Sequence, residues 1–371
     1  MNISDYRKQI DDIDSQIIDL YHKRMAVSKK VGEFKLKTGM AVYDKGREEE
    51  KINYLSGMAD NDFDRQAISE LFEQIMAISR KYQYRQLSAK EYKYKAIEKL
   101  NTEKSRVIFQ GAEGAYSQAA MEEYFGTRIE SFNVGTFEEA MQLVSDNKAD
   151  YAVLPLENSI AGVVTEVYDL LAEYDNFIVA EQEILIEHCL LGIPGSRVEE
   201  INTIYSHPMS LLQSSGFLNE HPEWQKIACE NNAFAARKVK ELNDSKSAAI
   251  AGAKAAAVYG LEVIKENISR SALNTTRFII ISGRKDYRMT ADKISICFEV
   301  PHQSGSLYHM LSHFIFNNLN MNRIESRPIP DRDWEYRFFV DFTGNLTDAA
   351  VINALHGLSL EAVNLKILGN Y

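Results

Sequence analysis

The sequence predicts a multidomain protein built from an all-α segment, an α/β segment and a compact α+β unit, in that order. Three observations carry this. The chain has 371 residues, too many for one typical hydrophobic core. Its first 100 residues contain four glycines and no proline, all seven prolines falling at Pro155 or later. Apolar spacing of three and four residues gives way, from Arg106, to short apolar runs alternating with helical patterns.

The first helix is predicted from Ile3, Tyr6, Ile10, Ile13, Ile17, Leu20, Arg24, Val27, Val31 and Phe34, a heptad seam. A helix of roughly 35 residues is about 50 Å long. Two short companions cannot cover it, so pairing with a second chain is expected. Gly39 ends it, and Asp44 is the N-cap candidate of a second helix running to about Gly57. A third starts near Asp62 or Asp64, with Ile68, Leu71, Phe72, Ile75, Ile78 and Tyr82 on one face, and is expected to continue into Lys90–Lys99. Residues 101–105 read as a linker.

Beyond it, Val107–Phe109 and Ala152–Leu154 look like buried strands. Phe137–Val144, Val163–Leu171 and Phe234–Leu242 look like helices, and Leu185–Ile193 and Phe278–Ser282 like further strands. From Lys293 the order is strand (Ile294–Val300), helix (Leu307–Phe316), two strands (Met321–Ser326, Tyr336–Thr343), helix (Asp348–Leu358) and strand (Ala362–Leu368). That is βαββαβ in about 80 residues, a ferredoxin-like plan. The expected domains are residues 1–100, 106–284 and 293–371.

Net charge is −11, and the acidity is concentrated beyond residue 100. Such a protein repels nucleic acid at long range, which excludes that partner class. No run of 18 apolar residues suggests a membrane span. Cys189, Cys229 and Cys297 fit neither a disulfide framework nor a metal spacing. With no signal-peptide core near the first residues, a cytoplasmic protein is expected.

Arg24 interrupts the heptad seam. Alone it reads as a snorkelling arginine or a buried polar residue that specifies an oligomer. Lys35, 11 residues on, lies about 20° around the helix and faces the same way. Ser79 and Gln83 share the face of Ile75 on the third helix. Buried donors without acceptors are costly, and a bound polyanion resolves them. Arg7, Arg24, Lys35, Asp44-x-x-Arg47-Glu48 and Ser79-x-x-x-Gln83 together resemble the all-helical chorismate mutase family. The resemblance implies a dimer in which Arg7 enters the partner's site. It implies that Arg7 and Arg24 clamp carboxylates of chorismate, and that Lys35 and Gln83 donate to the ether oxygen. It further implies that Glu48 accepts from the ring hydroxyl, while Asp44, Arg47 and Ser79 shape the remaining wall. A Claisen rearrangement needs no nucleophile, metal or cofactor.

Gly111–Ser117 lies between a strand and a helix but lacks G-x-G-x-x-G and G-K-[ST], so it is not read as a nucleotide loop. Four runs follow: Val153–Ser159, His188–Leu191, Tyr205–Pro208 and Asn274–Phe278. Each alone is compatible with turn chemistry. Together and in this order they resemble prephenate dehydratases, over roughly residues 106–284. The resemblance implies two α/β lobes, like periplasmic binding proteins, with the site in the cleft between them. It implies that Asn158, Gln213, Thr276 and Arg277 line the site and that Ser117 and Ser159 bind carboxylates of prephenate. The resemblance implies Thr276 as the hydrogen-bond donor that helps hydroxide leave, with the proton delivered through water, preferred over a protonated Glu157. Position 209 is Met where the family usually carries Gln.

In the tail, Gly305-Ser306-Leu307 and Glu325-Ser326-Arg327-Pro328 resemble the two ligand motifs of ACT regulatory domains. The resemblance implies phenylalanine bound between two chains as a feedback effector. His309 and His313 are four apart but lack a third ligand, so a helix face is favoured over a metal pair. The whole reading is a bifunctional enzyme of phenylalanine biosynthesis, acting as a homodimer or higher homo-oligomer. Its alternatives are a dehydratase with a purely dimerising helical segment, or a bilobal binding protein without catalysis.

Overall fold

The computed structural model describes residues 2–84, 93–269 and 273–371. Helix α1 spans Ile3–Thr38, closed at its start by a reciprocal capping box between Asn2 and Asp5 and at its end by Gly39 in the left-handed region at φ 69°. Helix α2 (Lys45–Ser56) is capped by the Asp44 side chain, which accepts from the Arg47 amide. Helix α3 spans Asp62–Tyr84. The heptad seam is bare in the single chain: Ile10, Ile13 and Ile17 are each more than half exposed. Residues 3–20 project as about 27 Å of solvated helix.

The expected helical continuation over Lys90–Lys99 is corrected. Residues 85–92 lie outside the described residues, and Lys95–Ile97 is a strand, β1. It pairs in parallel with residues 286–288. Ile97 and buried Leu100 pack into the core of the α/β unit. The lysine-rich stretch has no apolar helical face to bury, so sheet pairing decides its conformation.

The first lobe contains β2 (Arg106–Gln110), α4 (Tyr116–Phe125), β3 (Glu130–Val134), α5 (Phe137–Ser145), β4 (Tyr151–Asn158), β5 (Gly162–Val163), α6 (Thr165–Glu173) and β6 (Phe177–Leu185). The predicted helix Val163–Leu171 therefore starts two residues later, because Val163 pairs with Glu157 as a short strand. The second lobe contains β7 (Cys189–Gly192), β8 (Thr203–Ser206), α7 (Pro208–Gln213), α8 (Ser215–Leu218), β9 (Gln225–Ala228), α9 (Asn232–Leu242), β10 (Ser247–Ala251), α10 (Ala253–Tyr259) and β11 (Glu262–Lys265). Its five strands run in the order β11-β7-β10-β8-β9.

The chain returns to the first lobe as β12 (Thr275–Ser282) and β13 (Asp286–Arg288). The predicted single strand Leu185–Ile193 is thus two strands, β6 and β7, separated by a crossover between lobes. The outgoing and returning crossovers are tied together: the Ile186 amide donates to Asn274 O at 2.6 Å, and the Ile268 amide to His188 O at 2.9 Å.

The C-terminal unit is β14 (Lys293–Glu299), α11 (Ser306–Phe316), β15 (Met321–Pro328), β16 (Tyr336–Thr343), α12 (Ala349–Glu361) and β17 (Val363–Asn370), the predicted βαββαβ order. Its antiparallel strands lie in the order β15-β16-β14-β17, and β17 continues through β6 into the first-lobe sheet. The junction is Gly369 beside Ile178, where an added Cβ would lie 2.0 Å from the Ile178 carbonyl oxygen. Only glycine permits so close a backbone approach.

Candidate active sites

A cavity of about 340 Å³ opens among the three N-terminal helices. Arg24, Lys35, Asp44, Arg47, Glu48, Ser79 and Gln83 all line it. Arg24 and Lys35 come from one face of α1, Ser79 and Gln83 from one face of α3, and α2 supplies Arg47 and Glu48. The Arg24 Nη1 donates to Ser79 Oγ at 2.5 Å, and Ser79 Oγ donates back to Ile75 O at 2.8 Å. Burial lowers the pKa of Arg24. The Lys35 Nζ is parked on the Val42 carbonyl at 2.6 Å. Gln83 is buried, and its Oε1 has no hydrogen-bond partner. Arg24 and Lys35 thus bring cationic donors to a space for a small anion, while the unpaired Gln83 Oε1 is an acceptor that calls for a donor.

Arg47 lines the cavity, but its guanidinium pairs with exposed Glu50 at 2.8 Å. Arg7 is exposed, about 25 Å along the same helix from Arg24. It cannot reach the cavity of its own chain.

Sequence reasoning missed Arg80, which is buried and ion-paired with Glu48. The available signal was the cation pair Arg80-Lys81 directly after Ser79, on faces that a free helix would expose. Both are buried because the C-terminal unit packs against the end of α3.

A second cavity, of about 300 Å³, lies between the two lobes. Its wall from the first lobe includes Tyr116, Ser117, Asn158 and Thr276, and its wall from the second includes Met209, Ser210, Gln213 and Asn232. Asn158 and Thr276 sit opposite each other on paired strands. The Asn158 Nδ2 lies 2.9 Å from Thr276 Oγ1 and 2.7 Å from Asn274 Oδ1. The Asn158 Oδ1 is held by the amides of Ile160 and Ala161 at 3.0 and 2.8 Å. Thr276 Oγ1 thus accepts from Asn158, and its own proton is left for the cleft.

Ser117 is buried in the first turn of α4, whose N-cap, Ala115, offers no side-chain acceptor. Free first-turn amides suit a carboxylate. Gln213 Oε1 lies 2.7 Å from His188 Nε2, and His188 Nδ1 lies 3.0 Å from the Tyr116 hydroxyl. Burial lowers the pKa of His188, which keeps the ring neutral at pH 7. His188 and Tyr116 were absent from the expected site residues, although His188 lay in one of the four marked runs. Met209 offers the cleft a thioether. Its amide is capped by the His207 ring at 3.2 Å.

Two expectations are corrected here, those for Arg277 and Ser159, and Glu157, the less favoured alternative to Thr276, also lies outside the cleft lining. Arg277 does not line the cleft. Neighbouring residues of a strand face opposite sides, so Thr276 and Asn158 face the cleft while Arg277 and Glu157 face the C-terminal unit. Arg277 makes ion pairs with Glu157 at 3.0 Å, Glu181 at 3.3 Å and Asp341 of β16 at 3.1 Å. Glu157, paired with Arg277 and Arg323, has neither the place nor the environment of a protonated acid in the cleft. Ser159 is exposed and closes a turn, donating to Leu273 O and accepting from the Thr275 amide, each at 3.0 Å. Replacing Arg277 by Met is expected to destabilise the protein by on the order of 3 kcal/mol, the lower end for a broken buried pair, because Glu157 and Glu181 still reach water. The midpoint of urea unfolding checks this.

In the C-terminal unit, Gly305 takes φ 79° at the start of α11. Ser306 and Leu307 line a cavity of about 380 Å³ with Trp334, Tyr336 and Phe338. The second motif, Glu325–Pro328, runs along the edge strand β15. Arg327 there makes a two-point contact with Asp169 of α6, at 3.0 and 2.7 Å. Within one chain the two motifs do not meet in this cavity. The His313 Nε2 faces Glu361 at 3.2 Å. Among the described residues no group of three His, Cys, Asp or Glu side chains is arranged to hold a metal, and no helix is long and apolar enough to cross a membrane.

The two cavities coincide with two family matches. Residues 6–84 match the family described as chorismate mutase type II, and residues 107–286 the family described as prephenate dehydratase. The bifunctional chorismate mutase/prephenate dehydratase of Stutzerimonas stutzeri is 33% identical over 371 residues, 98% of this chain and 96% of that protein. Two solved structures are similar to about seven tenths of this chain. A prephenate dehydratase from Arthrobacter aurescens in complex with L-Phe is 30% identical with a TM-score of 0.67, covering 72% of this chain and 89% of that one. GqqA, described as a novel type of quorum quenching acylase, is 33% identical with a TM-score of 0.65, covering 71% of this chain and 96% of that one. One fold can host different chemistries, so activity is argued from the residues of each site. With both family matches in order along the chain and a bifunctional relative aligned over nearly all of it, this chain belongs to the bifunctional chorismate mutase/prephenate dehydratase family.

Proposed function

We propose that the helical cavity rearranges chorismate and that the interlobe cleft converts the resulting prephenate to phenylpyruvate. The observation that carries this reading is the convergence of Arg24, Lys35, Glu48, Ser79 and Gln83 from three helices on one cavity. A helical segment that only dimerised would need none of these groups there.

In the first reaction the ether C–O bond of chorismate breaks as a C–C bond forms, and negative charge grows on the ether oxygen. Lys35 and Gln83 donate to that oxygen, where a donor gains most in the transition state. Lys35 leaves the Val42 carbonyl to do so. Arg24 clamps a carboxylate, Glu48 accepts from the ring hydroxyl, and Arg7 enters from a second chain, whose α1 covers the bare apolar seam. Asp44 fixes the start of α2, and Arg47 turns from Glu50 toward the substrate.

In the second reaction the ring carboxylate leaves as CO₂, its C–C electron pair enters the ring, and the ring hydroxyl departs with a proton as water. Aromatisation drives the step. Thr276 donates a hydrogen bond to the departing oxygen, with Asn158 fixing the hydroxyl, and the proton that completes the leaving water is delivered from solvent through water. Ser117 and the first turn of α4 hold a carboxylate, and Gln213, oriented by His188, donates from the opposite lobe.

Residues 106–284 form the dehydratase unit, and 293–371 a ferredoxin-like ACT unit that binds phenylalanine between two chains. The name of the L-Phe-bound relative supports that effector. Residues 1–84 form the mutase unit, and the stretch 95–100 goes with the dehydratase. Free cysteines suit the cytoplasm, and the exposed apolar seam of α1 suits a homodimer or larger homo-oligomer. Replacing Leu307 by Lys puts a charge into the apolar cavity and is expected to abolish inhibition by phenylalanine. Prephenate turnover with and without phenylalanine checks this.

The test of the whole reading is a coupled assay. Chorismate is supplied to the purified protein, and its loss and the appearance of phenylpyruvate are followed, with and without phenylalanine. Phenylpyruvate formation supports both sites. Chorismate left untouched while prephenate is consumed would reduce the helical segment to a scaffold.

A further inference from the structure

The last turns of α3 are pressed between the helical cavity and the C-terminal unit. Arg80 lies there, only 7% exposed. Its guanidinium is shared between carboxylates of two different units. The Nε donates to Glu361 Oε1 at 3.0 Å, and Nη1 pairs with Glu48 Oε2. The guanidinium also rests 4.8 Å from the ring centre of Tyr43. Glu361 is the last residue of α12. It accepts from the Tyr84 hydroxyl at 3.2 Å and faces His313 Nε2 at 3.2 Å. Burial opposes its ionisation most, yet contacts with His313 and Arg80 hold its carboxyl down to about 2. It is therefore a carboxylate at any working pH. Beside it, Lys81 Nζ donates to Ser312 O at 3.0 Å and Ser312 Oγ at 2.8 Å, which ties α3 to α11 as Arg80 ties it to α12.

Arginine presents its donors as a rigid planar fork. With its Nε committed to Glu361, the fork meets Glu48 through Nη1, at one oxygen. The other oxygen of Glu48 is left for the cavity. Without Glu361 the fork would be free to close on both oxygens of Glu48, and Arg80 would carry a buried positive charge offset by Glu48 alone.

We propose that Glu361 is a positioning residue for the mutase reaction: acting through Arg80, it sets the carboxylate of Glu48 in the helical cavity, so the C-terminal unit completes the mutase site. This rests on the role of Glu48 given above.

The test is a double-mutant cycle on the full chain, reading mutase kcat and KM for Glu48→Gln, Glu361→Gln and both together, with prephenate turnover as the check on folding. Glu361→Gln is expected to lower mutase kcat by about ten- to a hundredfold, with KM changing less, up to the scale of a site group misplaced by about 1 Å. Prephenate turnover is retained, and the change adds nothing once Glu48 is already Gln. If Glu361→Gln leaves mutase turnover intact while Glu48→Gln impairs it, the proposal is overturned and the reading of the cavity stands. Losses that multiply also overturn it, because Glu361 would then act by another route. If Glu48→Gln itself is without effect, the role of Glu48 falls and the proposal with it. Should Glu361→Gln depress both activities together, Arg80→Lys takes its place, keeping the charge without the fork. A mutase loss that vanishes in the Glu48→Gln background is again expected, and a multiplicative loss or none overturns the idea.

Discussion

Replacing Thr276 by Ala is expected to lower dehydratase turnover by about 10²- to 10³-fold, the scale of a lost transition-state donor, while sparing mutase turnover. The geometry explains the selectivity. Thr276 lies at the cleft end of β12, opposite Asn158 on β4. Its hydroxyl accepts from Asn158 at 2.9 Å, which orients its proton away from that partner and toward the cavity. Alanine removes the hydrogen-bond donor, while the Asn158 amide keeps Asn274 Oδ1 at 2.7 Å and the Thr275 carbonyl at 3.2 Å as acceptors. The strand keeps its ladder on both sides, so the fold should survive. Thr276→Ser, which keeps the hydroxyl, should retain much of the activity. Steady-state kinetics with prephenate and with chorismate separate the outcomes. Equal loss of both activities would point to misfolding, and full dehydratase activity in Thr276→Ala would remove Thr276 from the chemistry.

Lys35→Ala is expected to do the reverse. Mutase turnover should fall by on the order of 10²-fold or more, with prephenate turnover unchanged. The Lys35 Nζ now rests on the Val42 carbonyl, a neutral acceptor at the mouth of the helical cavity. An ether oxygen gaining negative charge is a stronger acceptor, so the contact strengthens as the reaction proceeds. Loss of kcat with little change in KM would mark that transition-state role. A rise in KM alone would make Lys35 a ground-state clamp instead.

Much of this was legible in the sequence because it rests on local periodicity. The 3–4 spacing of apolar residues sets α1 and α3, and it also puts Arg24 with Lys35 and Ser79 with Gln83 on shared faces. Gly39 and Asp44 mark the caps where the structure has them. The βαββαβ order of the tail is local in the same way. The resemblance to prephenate dehydratases named Thr276, Asn158 and Gln213, and all three line the cleft.

Besides the helix expected over Lys90–Lys99 and the single strand over Leu185–Ile193, statements about which way a side chain points in three dimensions failed. Arg277 adjoins Thr276 in sequence and would be grouped with it by any linear motif. Yet one step along a strand reverses the facing side, and Arg277 goes to the domain junction with Glu157, Glu181 and Asp341. Ser159, one residue past Asn158, closes a turn.

The sequence by itself determined the three units, their order, and the residue types that equip two sites for anionic substrates. Helical and strand periods are properties of the chain a few residues at a time. Only the tertiary structure decided that Lys95–Ile97 becomes a strand, that β17 fuses the C-terminal sheet to the first lobe, and that Arg80, paired with Glu48, also reaches Glu361, 281 positions further along the chain. Each of these depends on backbone or charged groups finding partners far along the chain. A buried donor or charge is tolerated only where such a partner is present, and no local pattern records which distant residue supplies it.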